Sequence, residues 1–170
     1  MRLKGPIVIS TNTYEDIRGT FVKVYSQREF AKNSIKCTFL EHFYSFSMKR
    51  TIRGMHYQSK PHEQDKLVYV IRGKIMDVVL DIRKNSETFG YWDSRILSES
   101  NGLMMFVPKG FAHGFQALKD SIVGYLCSGE YNEDAYTGIR WNDNTIKIKW
   151  MLKNPIISER DKKLPLLNSK

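Results

Sequence analysis

Four histidines are the side chains of this chain that could most readily move a proton, because imidazole titrates closest to neutral pH. They are His42, His56, His62 and His113. A metal site built on strands would be expected to offer two histidines one residue apart, and no His-x-His occurs in the sequence. Carboxylates from distant strands could still converge on these histidines, so the sequence disfavours a metal site but leaves it open. If His56 binds no metal, it is free to act as a general base.

Other candidate residues have an ordinary structural explanation when each is taken alone. Tyr125 and Tyr131 could pack within a sheet, as aromatic side chains often do. Lys66 could be one of many solvated charges, and Asp161 could serve the start of a helix. His113 could be a hydrogen-bonded core histidine or a supporting residue of a site. Their joint appearance in a particular order is therefore what can indicate a function.

Short strands are predicted to position these residues, because apolar runs and turn signals follow one another through most of the chain. The segment 66–70 alternates along its length, and Gly73 lies in a hairpin-like turn between two such runs. Helices are predicted only at Gln27–Lys32 and around residues 158–162, where Ser158 and Asp161 resemble a capping box. Strands are predicted at residues 7–10, 20–25, 38–47, 51–56, 65–72, 74–81, 91–97, 102–107, 114–117, 122–128 and 146–148.

This pattern predicts an all-β sandwich or barrel. No linker or internal repeat divides the chain, so we expect a single domain over residues 1–170. Hydrophobic residues at 41% and charged residues at 26% are typical of a soluble globular protein. The net charge is +9, but no run of Lys or Arg exceeds two residues, so we expect no nucleic-acid partner. The simplest interpretation is a solvated basic surface, whose field would also favour a nucleotide diphosphate.

The location of the protein is predicted from what the sequence lacks. Cys37 and Cys127 are too few for a disulfide framework and lack metal-ligand spacing, so reduced thiols are expected. The first ten residues contain no long apolar run and no small-residue cleavage site. No segment approaches the roughly 20 apolar residues needed to cross a bilayer. We therefore expect a cytoplasmic protein without membrane association.

A series of motifs runs through the chain in an order that resembles the dTDP-4-dehydrorhamnose 3,5-epimerase family. The resemblance extends from about residue 16 to residue 167, and an ordered series is far more specific than any single short pattern. It implies a cupin-type jelly roll, usually a homodimer, that acts on a nucleotide-linked 4-keto sugar without a metal or organic cofactor. The motifs are RGMHYQ (53–58), QDKLV (64–68), DIR (81–83), SETFG (86–90), PKGFAHGF (108–115), YLCSGEY (125–131), GIRWND (138–143) and ISERD (157–161).

The resemblance also implies a catalytic set. The family's His–Asp dyad falls on His56 and Asp161, where the carboxylate would orient the imidazole and favour its protonated form. A ketone at C4 acidifies the C–H bonds at C3 and C5, and His56 would remove such a proton. Lys66 matches the lysine that would stabilise the enolate at the C4 oxygen. Tyr125 matches the donor that delivers a proton to the opposite face.

Further matches concern binding. Tyr131 matches a tyrosine at the nucleotide end of the site, and six residues along one strand would place it on the same face as Tyr125. Arg53 and Arg160 match positions near the diphosphate, where a planar guanidinium can hold two oxygens. His113 is assigned a supporting role in the site.

A segment near the N-terminus matches one that, in the family, crosses into the partner subunit's site. If this carries over, Arg18 and Phe21 complete the neighbour's pocket, and the expected homodimer is functional as well as stabilising. Lys23 departs from the glutamate common in the family, which weakens this expectation. Met55 in place of leucine preserves volume and should matter little.

A second departure concerns the nucleotide. Glu41 falls at the glutamine expected to contact the thymine base, and a carboxylate can only accept hydrogen bonds. Guanine offers two adjacent donors, whereas thymine offers one donor flanked by acceptors. The sequence therefore predicts GDP, with a 4-keto GDP-heptose as substrate, ahead of a dTDP-4-keto-6-deoxyhexose.

Four alternatives to a 3,5-epimerase in surface-polysaccharide synthesis remain open from the sequence. An epimerase that acts at C3 alone would use the same residues. A 3,4-ketoisomerase of similar fold would move the carbonyl instead of inverting carbon. A non-catalytic cupin could merely bind a sugar nucleotide. A metal-dependent cupin oxygenase is the most distant alternative, because the chain lacks His-x-His.

Overall fold

Residues 3–167 are described in a computed structural model, and most of them belong to two five-stranded sheets. The two sheets are antiparallel throughout, and a separate two-stranded hairpin lies between β1 and β4 in the sequence. The strands are β1 (Ile7–Ser10), β2 (Asn12–Asp16), β3 (Gly19–Lys23), β4 (Glu41–Ser47), β5 (Ile52–Gln58), β6 (Lys66–Arg72), β7 (Lys74–Asp81), β8 (Trp92–Ser98), β9 (Leu103–Val107), β10 (Phe111–Ala117), β11 (Ser121–Cys127) and β12 (Tyr136–Gly138), and the helices are α1 (Gln27–Lys32) and α2 (Glu159–Lys162).

The order of strands is β1-β9-β6-β11-β4 in the first sheet and β12-β5-β10-β7-β8 in the second. From β4 to β12 the chain passes repeatedly from one sheet to the other, which is the pattern of a jelly roll. This confirms the all-β sandwich predicted from the sequence, and the two short helices lie where they were predicted. No helix within residues 3–167 is long and apolar enough to span a membrane.

The interior between the sheets is divided into an apolar part and a polar part. Inward-facing side chains of both sheets form the apolar part, with Val68 and Val123 from the first sheet against Ile75 and Phe115 from the second. These side chains are at most 1% exposed, so this half holds the two sheets at a fixed separation. The polar part contains most of the candidate site residues.

The outer faces of the two sheets are covered by different segments. Around Phe30 of α1, aromatic rings pack edge to face over the first sheet. The C-terminal segment covers the second sheet, where Ile139 and Ile146 pack with strand residues. Trp92 lies in this layer and donates from Nε1 to the carbonyl of Ile146. Because the C-terminal segment lies against the second sheet, α2 lies next to β5.

Three differences separate the structure from the sequence-based prediction. The predicted strand at 146–148 is wrong, because the Asp143 carboxylate accepts from the Thr145 and Ile146 amides at 2.6 and 3.3 Å and holds a turn. Lys147 adopts a φ of 53°, which a strand does not allow. Strands β2 and β12 were not predicted, because neither shows a clear apolar alternation.

Candidate active site

The imidazole of His56 meets the carboxylate of Asp161 across a distance of 105 residues in the sequence. Nε2 of His56 lies 2.8 Å from Oδ1 of Asp161. His56 is held by β5, and Asp161 by α2, whose N-cap Ser158 accepts from the Asp161 amide at 3.1 Å as the capping pattern predicted. The Gly54 amide donates to Asp161 Oδ2 at 3.2 Å. Two residues of β5 therefore orient the carboxylate.

Gly54 is required at this point of β5. Its φ is +134°, a conformation that disfavours residues with a Cβ. A Cβ at this position would also lie 2.5 Å from the Cα of Gly114 on the neighbouring β10. This close approach of two strands turns the Gly54 amide towards Asp161 and places His56 beside His113.

The environment sets the protonation states of the dyad. Burial lowers the pKa of His56 below its ordinary value, although the hydrogen bond and charge of Asp161 act in the opposite direction. Burial alone would raise the pKa of Asp161, but hydrogen bonds from His56, Gly54 and Ser158 outweigh it and the pKa is lowered. At neutral pH, His56 is therefore a free base and Asp161 is a carboxylate that can stabilise the imidazolium.

A cavity of about 200 Å³ opens beside His56, between the two sheets. It brings together residues from strands of both sheets and from the loop after β11. The predicted site residues that line it are Glu41, Arg53, His56, Lys66, His113, Tyr125 and Tyr131.

Lys66 and Tyr125 bring opposite chemistry to this cavity. No hydrogen bond within residues 3–167 holds the Lys66 amine, and burial lowers its pKa. Tyr125 is 8% exposed, and its hydroxyl lies 3.3 Å from Oγ of Ser45. Burial raises the pKa of Tyr125 far above its usual value, so the hydroxyl holds its proton at neutral pH. Lys66 can approach an oxyanion, and Tyr125 can donate a proton.

Tyr131 reaches the cavity differently from the predicted way. The expectation that it shares one strand with Tyr125 is wrong, because β11 ends at Cys127 and Tyr131 lies in the following loop. The Tyr131 amide donates to Oε1 of Glu41 at 2.9 Å, which ties that loop to β4. One oxygen of Glu41 is therefore engaged by the backbone.

A second histidine–aspartate pair forms the wall next to His56. Nε2 of His113 lies 2.7 Å from Oδ1 of Asp77, and both side chains are buried. Oδ2 of Asp77 has no hydrogen-bond partner in the described chain, and burial raises the pKa of this carboxyl. His113 therefore lines the cavity, and Asp77 supports it from behind.

Two guanidinium groups line a larger adjoining cavity of about 510 Å³. His56 lines both this cavity and the first one. Arg53 donates from Nε to Oγ of Ser47 at 2.9 Å and from Nη2 to the carbonyl of Phe46 at 3.0 Å. The guanidinium of Arg160 lies 4.2 Å from the ring centre of Tyr136. Two cations in one cavity suit a diphosphate group.

The model of the dTDP-4-dehydrorhamnose 3,5-epimerase family matches residues 1–169. The chain belongs to this family. Among curated relatives, the dTDP-4-dehydrorhamnose 3,5-epimerase of Methanothermobacter thermautotrophicus is 43% identical over 165 residues, which cover 94% of this chain and 88% of the relative. The protein is therefore an enzyme, an isomerase of the epimerase class that acts on carbohydrates.

Solved structures of the family share its fold. The dTDP-4-dehydrorhamnose 3,5-epimerase from Sulfolobus tokodaii is similar with a TM-score of 0.91 and 40% identity, over 96% of this chain and 91% of that chain. The Bacillus anthracis enzyme with TDP and PPi bound is similar with a TM-score of 0.92 and 38% identity, over 95% and 93%. The cupin-type jelly roll implied by the resemblance is confirmed.

Arg18 and Phe21 of this epimerase lie on the hairpin of β2 and β3, away from both cavities. Arg18 pairs with Asp16, and both side chains are largely solvent-exposed. The Phe21 ring is 62% exposed. Within one chain, these two predicted residues do not join the others.

Five residues that the sequence-based site of the epimerase did not include line the first cavity: Phe43, Ser45, Gln64, Phe115 and Tyr136. Phe43 and Ser45 line the first cavity, and they alternate with Glu41 along β4, so the two-residue period of a strand could have indicated them. Tyr136 lines both cavities. It lies on the unpredicted strand β12, so no sequence signal indicated it.

The two cysteines are not paired in a disulfide. Cys37 and Cys127 are free thiols, and burial raises the pKa of each to about 11. Among the described residues 3–167, no cluster of three or more His, Cys, Asp or Glu side chains is arranged to hold a metal ion.

Proposed function

We propose that the enzyme inverts C3 and C5 of a dTDP-linked 4-keto-6-deoxyhexose, without a metal or cofactor, in a cytoplasmic step of surface-polysaccharide synthesis. The observation that carries this proposal is the placement of His56, whose Nε2 lies 2.8 Å from Oδ1 of Asp161, in the same cavity as the buried Tyr125. A base and an acid in one cavity can exchange a proton on one face of a carbon for a proton on the other.

The reaction begins when His56 takes the proton from the carbon beside the ketone. The electron pair of that C–H bond moves to the C4 oxygen and forms an enolate, whose charge the Lys66 ammonium stabilises. Tyr125 then donates its proton to the opposite face of the carbon and becomes a phenolate. Proton exchange with solvent restores Tyr125 and removes the proton from His56. The same steps at the second carbon complete a double inversion.

Incubation with a dTDP-linked 4-keto-6-deoxyhexose in deuterium oxide, followed by NMR, tests this function. Deuterium at both C3 and C5 supports the double epimerase. Deuterium at C3 alone would replace it by a single epimerase, and a moved carbonyl would indicate a ketoisomerase. If no 4-keto sugar nucleotide exchanges, the alternative of a binding protein replaces catalysis.

Tyr125→Phe tests the second half of the mechanism. The phenylalanine keeps the ring and its stacking on Phe43 but has no proton to donate. Exchange at the carbon should remain measurable, whereas inversion should fall sharply. Inversion at the wild-type rate in this variant would remove Tyr125 from the role of acid.

GDP is the second candidate for the nucleotide, and Glu41 is the observation that favours it. Its Oε1 accepts from the Tyr131 amide, and its other oxygen can accept from a base edge that donates. Calorimetric titration with TDP and with GDP decides between the two. TDP is expected to bind more tightly if the nucleotide of the Bacillus anthracis complex is also that of this enzyme. Tighter GDP binding that Glu41→Gln reverses would establish the alternative.

We further propose that the enzyme acts as a homodimer in which Arg18 and Phe21 reach the partner's cavity. The hairpin of β2 and β3 exposes apolar side chains that no other segment of residues 3–167 covers, among them Tyr14 and Ile17. Covering such a surface would stabilise a dimer.

Mixing two inactive variants tests this exchange directly. Arg18→Gln impairs the partner's site and His56→Ala impairs its own, so a mixed dimer contains one site with neither change. Recovery of activity after the two variants are mixed and allowed to exchange subunits is expected. No recovery, in a sample that native mass spectrometry shows to contain mixed dimers, would place Arg18 in its own chain's site or outside both.

A further inference from the structure

Tyr136 is a partly buried aromatic residue that the proposed mechanism does not use. It lies on β12, the edge strand that pairs with β5 beside His56. Its ring centre is 5.2 Å from that of His56 and 5.3 Å from that of Tyr131. It also lines both the catalytic cavity and the adjoining cavity that contains the two guanidinium groups. It therefore occupies the boundary where the reacting sugar and the diphosphate would join.

The two arginines of the adjoining cavity are held in different ways. Arg53 is fixed to β4 by two hydrogen bonds, to the Ser47 hydroxyl and to the Phe46 carbonyl. No hydrogen bond or ion pair of residues 3–167 holds the Arg160 guanidinium, and its contact in the structure is the face of the Tyr136 ring at 4.2 Å. A cation over an aromatic face is attracted by the ring quadrupole, and this attraction also acts where the cation is exposed, as Arg160 is.

We propose that Tyr136 is a positioning residue, whose ring holds the Arg160 guanidinium beside His56 so that this cation binds the diphosphate while the sugar reaches the base. This assignment rests on the proposed function in that it takes a nucleoside diphosphate as the ligand of the adjoining cavity. The hydroxyl is not needed for this role. Burial raises the pKa of Tyr136 to about 12, so the ring adds no charge to the site at neutral pH.

A double-mutant cycle on nucleotide binding tests this role. Calorimetric titrations with TDP and with GDP would compare the wild type with Tyr136→Leu, Arg160→Gln and the double variant. Tyr136→Leu should weaken binding of the preferred nucleotide by about two- to fivefold, the range of a cation–π contact whose cation is exposed, as Arg160 is. If Tyr136 acts through Arg160, the double variant should bind no more weakly than Arg160→Gln alone. Wild-type affinity in Tyr136→Leu, or losses that add in the double variant, would overturn the proposal.

Two further variants separate positioning from general damage. Tyr136→Phe keeps the ring and should restore most of the affinity lost in Tyr136→Leu, and the same loss in both variants would contradict a role for the ring. Tyr91→Leu makes the same change at a tyrosine that is 53% exposed and lies outside both cavities, and it should bind as the wild type does. Thermal unfolding of each variant shows whether the fold is retained.

The binding measurement does not depend on turnover, so the two proposals can fail separately. If the wild type binds a nucleotide and the losses are non-additive but no sugar exchanges deuterium, the role of Tyr136 stands and the proposed catalysis fails. If deuterium exchanges at C3 and C5 but Tyr136→Leu binds as the wild type does, the catalysis stands and the role of Tyr136 fails. A wild type that binds neither TDP nor GDP would overturn the role of Tyr136.

Discussion

The two histidine–aspartate pairs of the second sheet use the same residue types in different ways. His56 and His113 lie opposite each other in the register of β5 and β10. Their Nε2 atoms are 2.8 and 2.7 Å from the carboxylates of Asp161 and Asp77. The His56 side chain is 18% exposed, whereas that of His113 is 6% exposed. Similar hydrogen bonds therefore occur in two environments of the same cavity wall, and His56 is the more exposed of the two histidines.

The carboxylates account for the difference. Asp161 has a second hydrogen bond from the Gly54 amide, and its pKa is lowered, so it remains charged. Oδ2 of Asp77 has no partner in the described chain, and burial raises the pKa of this residue. A charged carboxylate stabilises an imidazolium as it forms, which a base requires. The comparison shows that the hydrogen bonds behind a histidine, together with its exposure, separate a candidate base from a structural residue.

The largest expected difference between the pairs is in catalysis. His56→Ala removes the proposed base and should lower the rate of deuterium exchange at the sugar by about 10⁴-fold. His113→Ala, where the variant folds, should retain measurable exchange. His62→Ala is the control, because His62 is exposed and outside both cavities. Equal losses in the His56 and His113 variants would end the distinction between the two pairs.

For folding stability, the His113 variant should show the larger loss and the His56 variant the smaller one. His113→Ala leaves the buried Asp77 carboxyl without its hydrogen-bond partner, and it should lower the free energy of unfolding by about 1–3 kcal/mol. His56→Ala should cost clearly less, because Asp161 keeps the hydrogen bond from Gly54. Urea unfolding followed by circular dichroism measures both. A His56 variant that is the less stable of the two would contradict this assignment.

Replacement of the Asp161 carboxylate should have a smaller effect on the rate. Asp161→Asn removes the charge that stabilises the imidazolium, and kcat should fall by about 10²-fold. Glu159→Gln changes an exposed carboxylate on the same helix and provides the control. Steady-state kinetics of the wild type, Asp161→Asn and Glu159→Gln test this prediction. A kcat near the wild-type value in Asp161→Asn would show that the charge at this position is dispensable.

The smallest expected effect is on the pH profile. Burial lowers the pKa of His56, so kcat/KM should rise with pH through a midpoint below the ordinary histidine value of 6.5. Asp161 acts to raise that pKa, and its replacement by asparagine should therefore move the acid limb to still lower pH. Profiles of kcat/KM for both proteins test the sign. A limb that moves to higher pH in the variant would show that Asp161 is not the partner that raises this pKa.

Regular elements were predictable wherever a local pattern carried the information. The alternation in β6 and the glycine turn before β7 indicated both strands, and Ser158 indicated the start of α2. Strand β12 was not predictable, because three residues are too few to show a period. The turn at 146–148 was mistaken for a strand because its isoleucines alternate, whereas the side chain of Asp143 determines the backbone.

The sequence by itself determined which chemical groups the enzyme has and in which order they occur, and this was enough to predict the sandwich and the His–Asp, Lys and Tyr set. Only the tertiary structure decided the state of each group. The free base at His56 and the proton on Tyr125 depend on burial between two sheets, and the charge on Asp161 depends on an amide 107 residues away. Desolvation and hydrogen bonds of this kind arise from segments distant in sequence, so no local pattern records them.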